Sequence, residues 1–374
     1  VPTTAEAMAT PDNGYKVASM FSGAGGSCLG YKIAGFDIVY ACEFIDAAAD
    51  SYEANFDLEV DRRNVREVTA ESLLRRAGLR KGELDLLDGS PPCDPFSLSG
   101  NREKKWGQVK NYVDGKRQRT DDLTHEFVKL LRDVQPKILV MENVKGLVIG
   151  KAKGYFLEIL DALKSAGYRV SCRILDSQWL GVPQRRQRTI FVGVRKDLNV
   201  DPSHPTPIVE RPVSIQEACP WIKRVVVDTQ GSFPVRRLPA SKPMDTITTV
   251  TRSHAVMWLK GVCLDEWQNA RRGQSSEKRF NLTRCDERQS APTLTPQVGT
   301  GLASATHPWE PRCFTVLEGK RLCSFPDDYV LTGSHAQQWQ RLGQSVPPLM
   351  MRAVAEHVKA EILDRIHGRG KWSG

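Results

Sequence analysis

Lys16 to Phe21 (KVASMF) is a short apolar run that ends in Ser-Gly-Ala-Gly-Gly at 22–26, after which Leu29, Ile33 and Ala34 return at helical spacing. This pattern predicts a strand, a glycine turn and a helix. Asp37 to Cys42 (DIVYAC) predicts a second strand ending at Glu43, and Asp46 to Tyr52 opens another helix, which completes a βαβ unit. Leu84 to Asp88 (LDLLD) is a further buried strand, cut by Gly89-Ser90-Pro91-Pro92. A helix over Leu123 to Arg132 delivers the chain to the strand Lys137 to Met141 (KILVM). An amphipathic segment, Tyr155 to Ala166, and two strands, Tyr168 to Ile174 and Thr189 to Val194, follow. Strands alternating with helices of this length predict a mostly parallel, three-layer α/β domain of Rossmann-like type.

The texture changes at Asp201, where Pro202, Pro205, Pro207 and Pro212 exclude a regular helix or central strand. Residues 206–311 carry short polar-flanked runs such as PMDTITTV and APTLTP, which predict a smaller domain of short strands and loops. Helical periodicity returns after Arg312 and is strongest over Leu349 to Ile366. The division expected is therefore a frayed segment 1–13, a main domain 14–200, an inserted smaller domain 201–311, a return to the main domain over 312–366, and a frayed tail 367–374.

Composition narrows the function classes. At 374 residues the chain can bury a sizeable core, and no apolar run of about 18 or more residues supplies a membrane span. The first residues lack a basic stretch followed by an apolar one, so no secretory signal is expected. The nine cysteines form neither a CxxC pair nor a disulfide framework, which predicts a reducing, cytoplasmic setting. The histidines are dispersed without an HExxH motif, so no metal is expected. A formal charge of +9 permits a nucleic-acid partner without requiring one.

Five features carry candidate chemistry. The turn Phe21-Ser22-Gly23-Ala24-Gly25-Gly26, followed by Glu43 at the end of the next strand, suits a nucleoside-type ligand, because a carboxylate there can accept both hydrogens of a ribose diol. The spacing is not GxGxxG and there is no P-loop lysine, and a turn required by the fold alone would look the same. Cys93 follows a buried strand behind two prolines, where a nucleophile would be rigidly presented; an inert loop cysteine is the plain alternative. Glu142 ends the strand KILVM and is expected at the same sheet edge, as an acid–base group or a structural cap. In QRRQR (184–188), Arg186 and Arg188 share one strand face. Between Leu98 and Arg119 seven basic and two acidic residues surround Trp106 and Tyr112, as in a lid beside phosphates or a solvated linker.

FSGAGG (21–26), Glu43, SPPC (90–93), ENV (142–144), QRRQR (184–188), RLCSFPDDY (321–329) and GQSVPP (343–348) occur in an order that resembles the DNA cytosine-5 methyltransferases. The resemblance frames residues 16–195 and 312–366, and the region between them matches by position the family's variable target-recognition domain. It implies a Cys93 adduct at C6 of a flipped cytosine, with Glu142 on the base edge, Arg188 holding the base and Arg186 in support. It also implies S-adenosylmethionine against Phe21, Ser22, Gly23, Ala24, Gly25 and Gly26, with Glu43 and Phe44, Asn64 and Val65, Pro92, Leu123, Gln344 and Ser345 completing the pocket. Double-stranded DNA is the implied substrate, and Arg236, Arg237, Arg271, Arg272, Lys278, Arg279, Arg284 and Arg288 are candidate contacts as a set. A monomer in a bacterial or phage-infected cell is implied, with a cognate restriction endonuclease as a functional companion that forms no stable complex. Asp94, Gln344 and Asn64 depart from the family pattern, where glutamine, asparagine and aspartate are usual. A tRNA cytosine-5 methyltransferase and a weakly active DNA-binding regulator are the competing readings.

Overall fold

The computed structural model describes residues 1–92, 122–148, 153–222, 257–277, 282–296 and 305–368, together with the backbone at 109–111 and 117–119. In chain order the first elements are α1 (Thr4–Met8), β1 (Lys16–Met20), α2 (Gly26–Ile33), β2 (Asp37–Cys42), α3 (Asp46–Glu53), α4 (Ala70–Ala77) and β3 (Leu86–Gly89). Two short antiparallel strands, β4 (Val109–Asn111) and β5 (Arg117–Arg119), fall within the basic tract. Then come α5 (Leu123–Val134), β6 (Ile138–Val144), α6 (Lys153–Ser165), β7 (Tyr168–Asp176), β8 (Gln184–Arg185) and β9 (Gln187–Arg195). The remainder comprises α7 (Ile215–Ala218), α8 (Val262–Asn269), the two-residue strands β10 (Thr283–Arg284), β11 (Ala291–Pro292) and β12 (Ala305–Thr306), then α9 (Val316–Leu322), α10 (His335–Gln344), α11 (Pro348–Val358) and α12 (Asp364–Ile366).

Six strands form one sheet in the order β2-β1-β3-β6-β9-β7. β1, β2, β3 and β6 run parallel, whereas β9 opposes both its neighbours, so the sheet is mostly parallel, as the alternation of strands and helices predicts. Alternation along each strand assigns the faces. Leu86, Ile138 and Ile190 pack with Tyr31 of α2 and with Met350, Met351 and Val354 of α11. Leu87, Leu139 and Phe191 meet α4, α5 and α6 on the other face. Because both faces are covered, the central strands are apolar nearly throughout, and six of the seven residues of β6 are buried. α5 shows how the sequence builds a layer: Leu123, Phe127, Leu130, Leu131 and Val134 form one buried stripe. Burial of each such large side chain stabilises the fold by about 1.5–3 kcal/mol.

Several expectations need correction. The segment 1–13 is not frayed, because Thr3 and Glu6 form a reciprocal capping box at the start of α1 and Ala7 is fully buried. The 367–374 tail begins ordered, with the His367 ring 5.5 Å from that of Tyr15, while residues 369–374 lie outside the described part. The single helix expected over 349–366 is interrupted by a π-helical turn at Lys359–Leu363. The described parts of 201–311 share a core with the rest of the chain, since Ile215, Cys219, Leu294 and Ala305 cluster with Tyr52 and Phe56 of the α3 region and with Trp339 of α10. The proline-rich connector lies along β7, the edge strand opposite β2: Arg169 donates to the Val200 carbonyl (2.9 Å), His204 meets the Ser171 hydroxyl (3.1 Å), and the Ile208 amide donates to the Trp179 carbonyl (3.0 Å).

Candidate active site

β1 pairs with β2 on one side and β3 on the other, with Met20 opposite Gly89, so the connections diverge between β1 and β3. In open α/β sheets that divergence opens a crevice at the carboxyl ends of the strands. The glycine turn leaves the sheet at Met20, and the Ser90-Pro91-Pro92 segment leaves it beside it at Gly89.

The turn is held from below. Phe21 adopts a left-handed backbone (φ 57°), which is unusual for an aromatic residue. The Ser22 amide donates to the Cys42 carbonyl (3.0 Å), and the Ser22 hydroxyl donates to the Ser19 carbonyl (3.0 Å). Glu43 is buried, and its carboxylate accepts from the amides of Gly23 (2.9 Å) and Ile45 (2.7 Å), which fixes it opposite the turn. Two glycines serve different ends. At Gly23 (φ 55°) an added Cβ would meet nothing within 4 Å, so this backbone faces open space. At Gly25 (φ 85°) it would lie 2.6 Å from Phe56 Cε2 and 2.7 Å from the Tyr329 hydroxyl, which donates to the Ala24 carbonyl. Gly25→Ala is therefore expected to lose about 3 kcal/mol or more of folding stability by strain and overpacking, and Gly23→Ala only the left-handed penalty of about 1–2 kcal/mol. Urea denaturation of the two variants checks the difference.

The remaining expected pocket residues are spread around this turn. Phe44 is half-buried. Asn64 caps the short turn Val65–Glu67 by accepting from the Arg66 amide, and Val65 is buried. Arg66 forms an ion pair with Asp122, which joins that turn to the start of α5, where Leu123 is fully buried in the core. The loop is braced by Asp61: burial acts to raise its pKa, but the Arg63 guanidinium and the Tyr40 hydroxyl hold it at about 2. Pro92 is partly exposed. Ser345 stands beside Gly26, whose added Cβ would lie 3.4 Å from the Ser345 Cβ, whereas Gln344 is exposed at the end of α10.

Glu142 does not end its strand, as expected from sequence, but lies within β6, which continues to Val144. Val144 is opposite Arg188 on β9, and this register places Arg188 on the same face as Glu142. Arg188 Nε lies 2.7 Å from Glu142 Oε1, with both side chains mostly buried. Burial lowers the Arg188 pKa and the Glu142 charge opposes that fall, so the carboxylate is what keeps a cation acceptable here. Asn143 donates to the Pro91 carbonyl (3.4 Å), joining the end of β6 to the segment after β3. The sequence reading overlooked Asn143 as a positioning group, although it follows Glu142 directly.

Arg186 occupies the break between β8 and β9 and is almost fully buried. It donates to the carbonyls of Leu294 (3.3 Å) and Gly343 (2.9 Å). Burial and the neighbouring Arg188 charge lower its pKa to about 9. β11 pairs in parallel with β8, and the Thr293 hydroxyl donates to the Arg185 carbonyl (2.7 Å), so residues 291–294 are stitched to the strand ahead of Arg188. Arg186→Ala should cost about 3 kcal/mol or more through a cavity and two unmatched carbonyls. Thermal melting would register this loss, and an unchanged melting temperature would remove Arg186 from this bracing role.

Cys93, Asp94, Arg236, Arg237, Lys278 and Arg279 lie outside the described residues, as do the side chains of the basic tract 98–119. Of the other basic candidates, Arg272 pairs with Glu287 and stacks 3.9 Å over Trp309, and Arg284 stacks 3.9 Å over Trp267. Arg288 is bound by Asp286. Among the described residues no helix is long and apolar enough to cross a membrane.

The family pattern described as C-5 cytosine-specific DNA methylase matches residues 15–360. The type II methyltransferase M.XorII of Xanthomonas oryzae pv. oryzae is 31% identical over 91% of this chain and 83% of its own length. M.DdeI of Desulfomicrobium norvegicum is 29% identical over 91% and 88%. Among solved structures, a DNMT2 variant of Spodoptera frugiperda aligns with a TM-score of 0.61 at 18% identity over 92% of this chain and 98% of that one, a likeness of fold.

Proposed function

Because the chain belongs to the C-5 cytosine-specific DNA methylases, we propose that Cys93, Glu142 and Arg188 perform its reaction in the crevice between the ends of β1 and β3. The activity is methyl transfer from S-adenosylmethionine to C5 of cytosine in DNA, EC 2.1.1.37. The observation that carries the residue assignment is the buried Arg188–Glu142 pair on the strand whose Asn143 grips Pro91, two residues before Cys93.

The turn suits the cofactor: the Gly23 backbone faces open space, and Glu43 stands fixed opposite it. We assign Phe21 to Gly26, Glu43 and Phe44, Asn64 and Val65, Pro92, Leu123, Gln344 and Ser345 to the S-adenosylmethionine pocket. Leu123 acts there as the buried support behind Val65. S-adenosylmethionine supplies an electrophilic methyl group when bound. The Cys93 thiolate adds to C6 of the cytosine, and the electron pair of the C5–C6 double bond passes towards N3, leaving C5 nucleophilic. Glu142 hydrogen-bonds the N3 and amino edge and favours protonation there as the ring becomes electron-rich. Arg188 fixes Glu142 and holds the base, and Arg186 braces that strand. Loss of the C5 proton and expulsion of Cys93 restore the ring. C6 is shielded in a stacked duplex, so the cytosine is flipped out at a cost of a few kcal/mol that DNA contacts offset.

We infer further that residues 14–200 and 312–366 form the catalytic unit and that 201–311 read the target sequence. The basic tract 98–119 acts as a lid over the DNA. Asp94 and Gln344, where the family carries glutamine and asparagine, tune the rate and the cofactor affinity. As its relatives are type II methyltransferases, the chain protects DNA from a companion endonuclease in a bacterial or phage-infected cell, acting as a monomer. Expression in a methylation-free host followed by methylation sequencing tests this reading. One short motif carrying 5-methylcytosine is expected, and unmethylated DNA beside methylated tRNA would overturn it.

A further inference from the structure

The strand that leads to Cys93 carries a carboxyl that the reaction above does not use. Asp88 lies in β3, five residues before Cys93, and is 1% exposed. Its two oxygens each accept from one hydroxyl, Ser19 of β1 (3.1 Å) and Tyr31 of α2 (3.1 Å). Among the described residues it has no ion-pair partner, unlike Asp61 with Arg63 or Glu318 with Arg312. A charged carboxylate so enclosed is costly unless paired, and two neutral donors offset only part of that cost. The titratable groups that face it are Tyr31 and Cys28 from α2, Tyr52 from α3 and Glu142 from β6. Burial pushes the Cys28 thiol up to about 12 and both tyrosines well above their usual range, so these three stay neutral.

We propose that Asp88 is a positioning residue for methyl transfer: protonated, it ties β1 to β3 beneath the points where the glycine turn and the Cys93 segment leave the sheet, and it spares Glu142 a second buried negative charge. Burial, with the Glu142 charge adding to it, raises the Asp88 pKa to about 7 against the pull of the Ser19 and Tyr31 hydroxyls. Ionisation of Asp88 as pH rises through 7 places a second buried negative charge near Glu142. The stability linkage has a definite sign. A carboxyl whose folded pKa lies above its unfolded value near 3.9 adds stability that is complete below about pH 4 and is lost as pH rises to about 7.

This role rests on the assignment of Glu142 to the reaction, so the test has an arm that needs no activity. Melting temperatures of wild type and Asp88→Asn, measured from pH 4.5 to 8.5, should diverge in favour of the variant up to about pH 7 and then run parallel. A pH-independent difference would overturn the buried titration. Single-turnover methylation of duplex DNA at saturating S-adenosylmethionine supplies the second arm. The ratio of Asp88→Asn to wild-type rate should rise about thirtyfold from pH 6 to 8.5, as the protonated fraction of a group titrating near 7 falls from about 91% to about 3%. Tyr31→Phe removes a donor to the carboxylate and should move the falling limb of the rate to higher pH, which keeps the test open if Asp88→Asn does not fold. Rates lowered equally at every pH in both variants would make Asp88 structural only. An inactive wild type with diverging melting curves would instead overturn the assignment of the reaction.

Discussion

Replacement of Cys93 by serine is expected to abolish methyl transfer while leaving DNA binding in place. A thiol titrates near 8.5, so a useful fraction is thiolate near neutral pH, whereas a serine hydroxyl at the same point supplies no comparable anion and its oxygen is the weaker nucleophile. Addition at C6 is the step that activates C5, so without it the later bond changes have no starting point. Duplex DNA carrying 5-fluorocytosine at the target reads the adduct directly. The fluorine cannot leave C5 as a cation, so the wild-type protein should remain covalently bound after methylation and migrate as a conjugate in denaturing gels. Cys93→Ser should form none, and a normal rate in that variant would sink the assignment.

Glu142→Gln is expected to lower single-turnover methylation by about 10² or more, the scale of acid–base assistance. The substitution keeps the shape and an amide oxygen that can still accept from Arg188, so the strand pairing of β6 with β9 should survive. What is lost is the charge. Arg188 is left as a buried cation facing a neutral group, which should lower the melting temperature modestly, by less than full removal of the partner at about 3–5 kcal/mol. The cytosine ring loses the group that favours a proton at N3. Affinity for S-adenosylmethionine should change little, because the glycine turn and Glu43 lie on the other side of the crevice, just past the ends of β1 and β2. If the whole loss appeared as failed cofactor binding, Glu142 would belong to the cofactor pocket instead.

The main domain was legible because buried parallel strands leave near-continuous apolar runs in the sequence. KVASM, DIVYAC and KILVM each correspond to a strand, with ends moved by only a few residues. The sequence places Glu142 at the end of its strand, whereas it lies inside β6, because ENV looks polar and only the pairing with β9 shows that the strand continues. The glycines were read as one feature and prove to be two, since close approach of Phe56 and Tyr329 to Gly25 depends on partners 31 and 304 residues away along the chain. Arg186 was expected near the base, yet its bonds run to the carbonyls of Leu294 and Gly343, contacts that no local pattern encodes. Asp88 did leave a signal, since of the two acids in the buried run LDLLD only Asp85 has a basic partner, but that difference lies in Lys137, 52 residues away along the chain. The change in texture at Asp201 suggests a separate domain over 201–311, but texture does not report that Ile215 and Leu294 share a core with Trp339.

The connector along β7 matters for how copies of the chain meet one another. β7 is the last strand of the sheet, nine residues long, and a bare strand edge offers a row of amides and carbonyls on which a second copy can build. Arg169, Ser171 and Trp179 tie residues 200–208 across this side. Pro202, Pro205 and Pro207 have no amide hydrogen to offer in turn, so the covering segment is itself a poor template. His204 makes the cover sensitive to acid, because burial and the charges of Arg173 and His357 lower its pKa to about 4. Protonation below that point would place a further cation beside Arg173 and loosen the strap, leaving the β7 side less guarded.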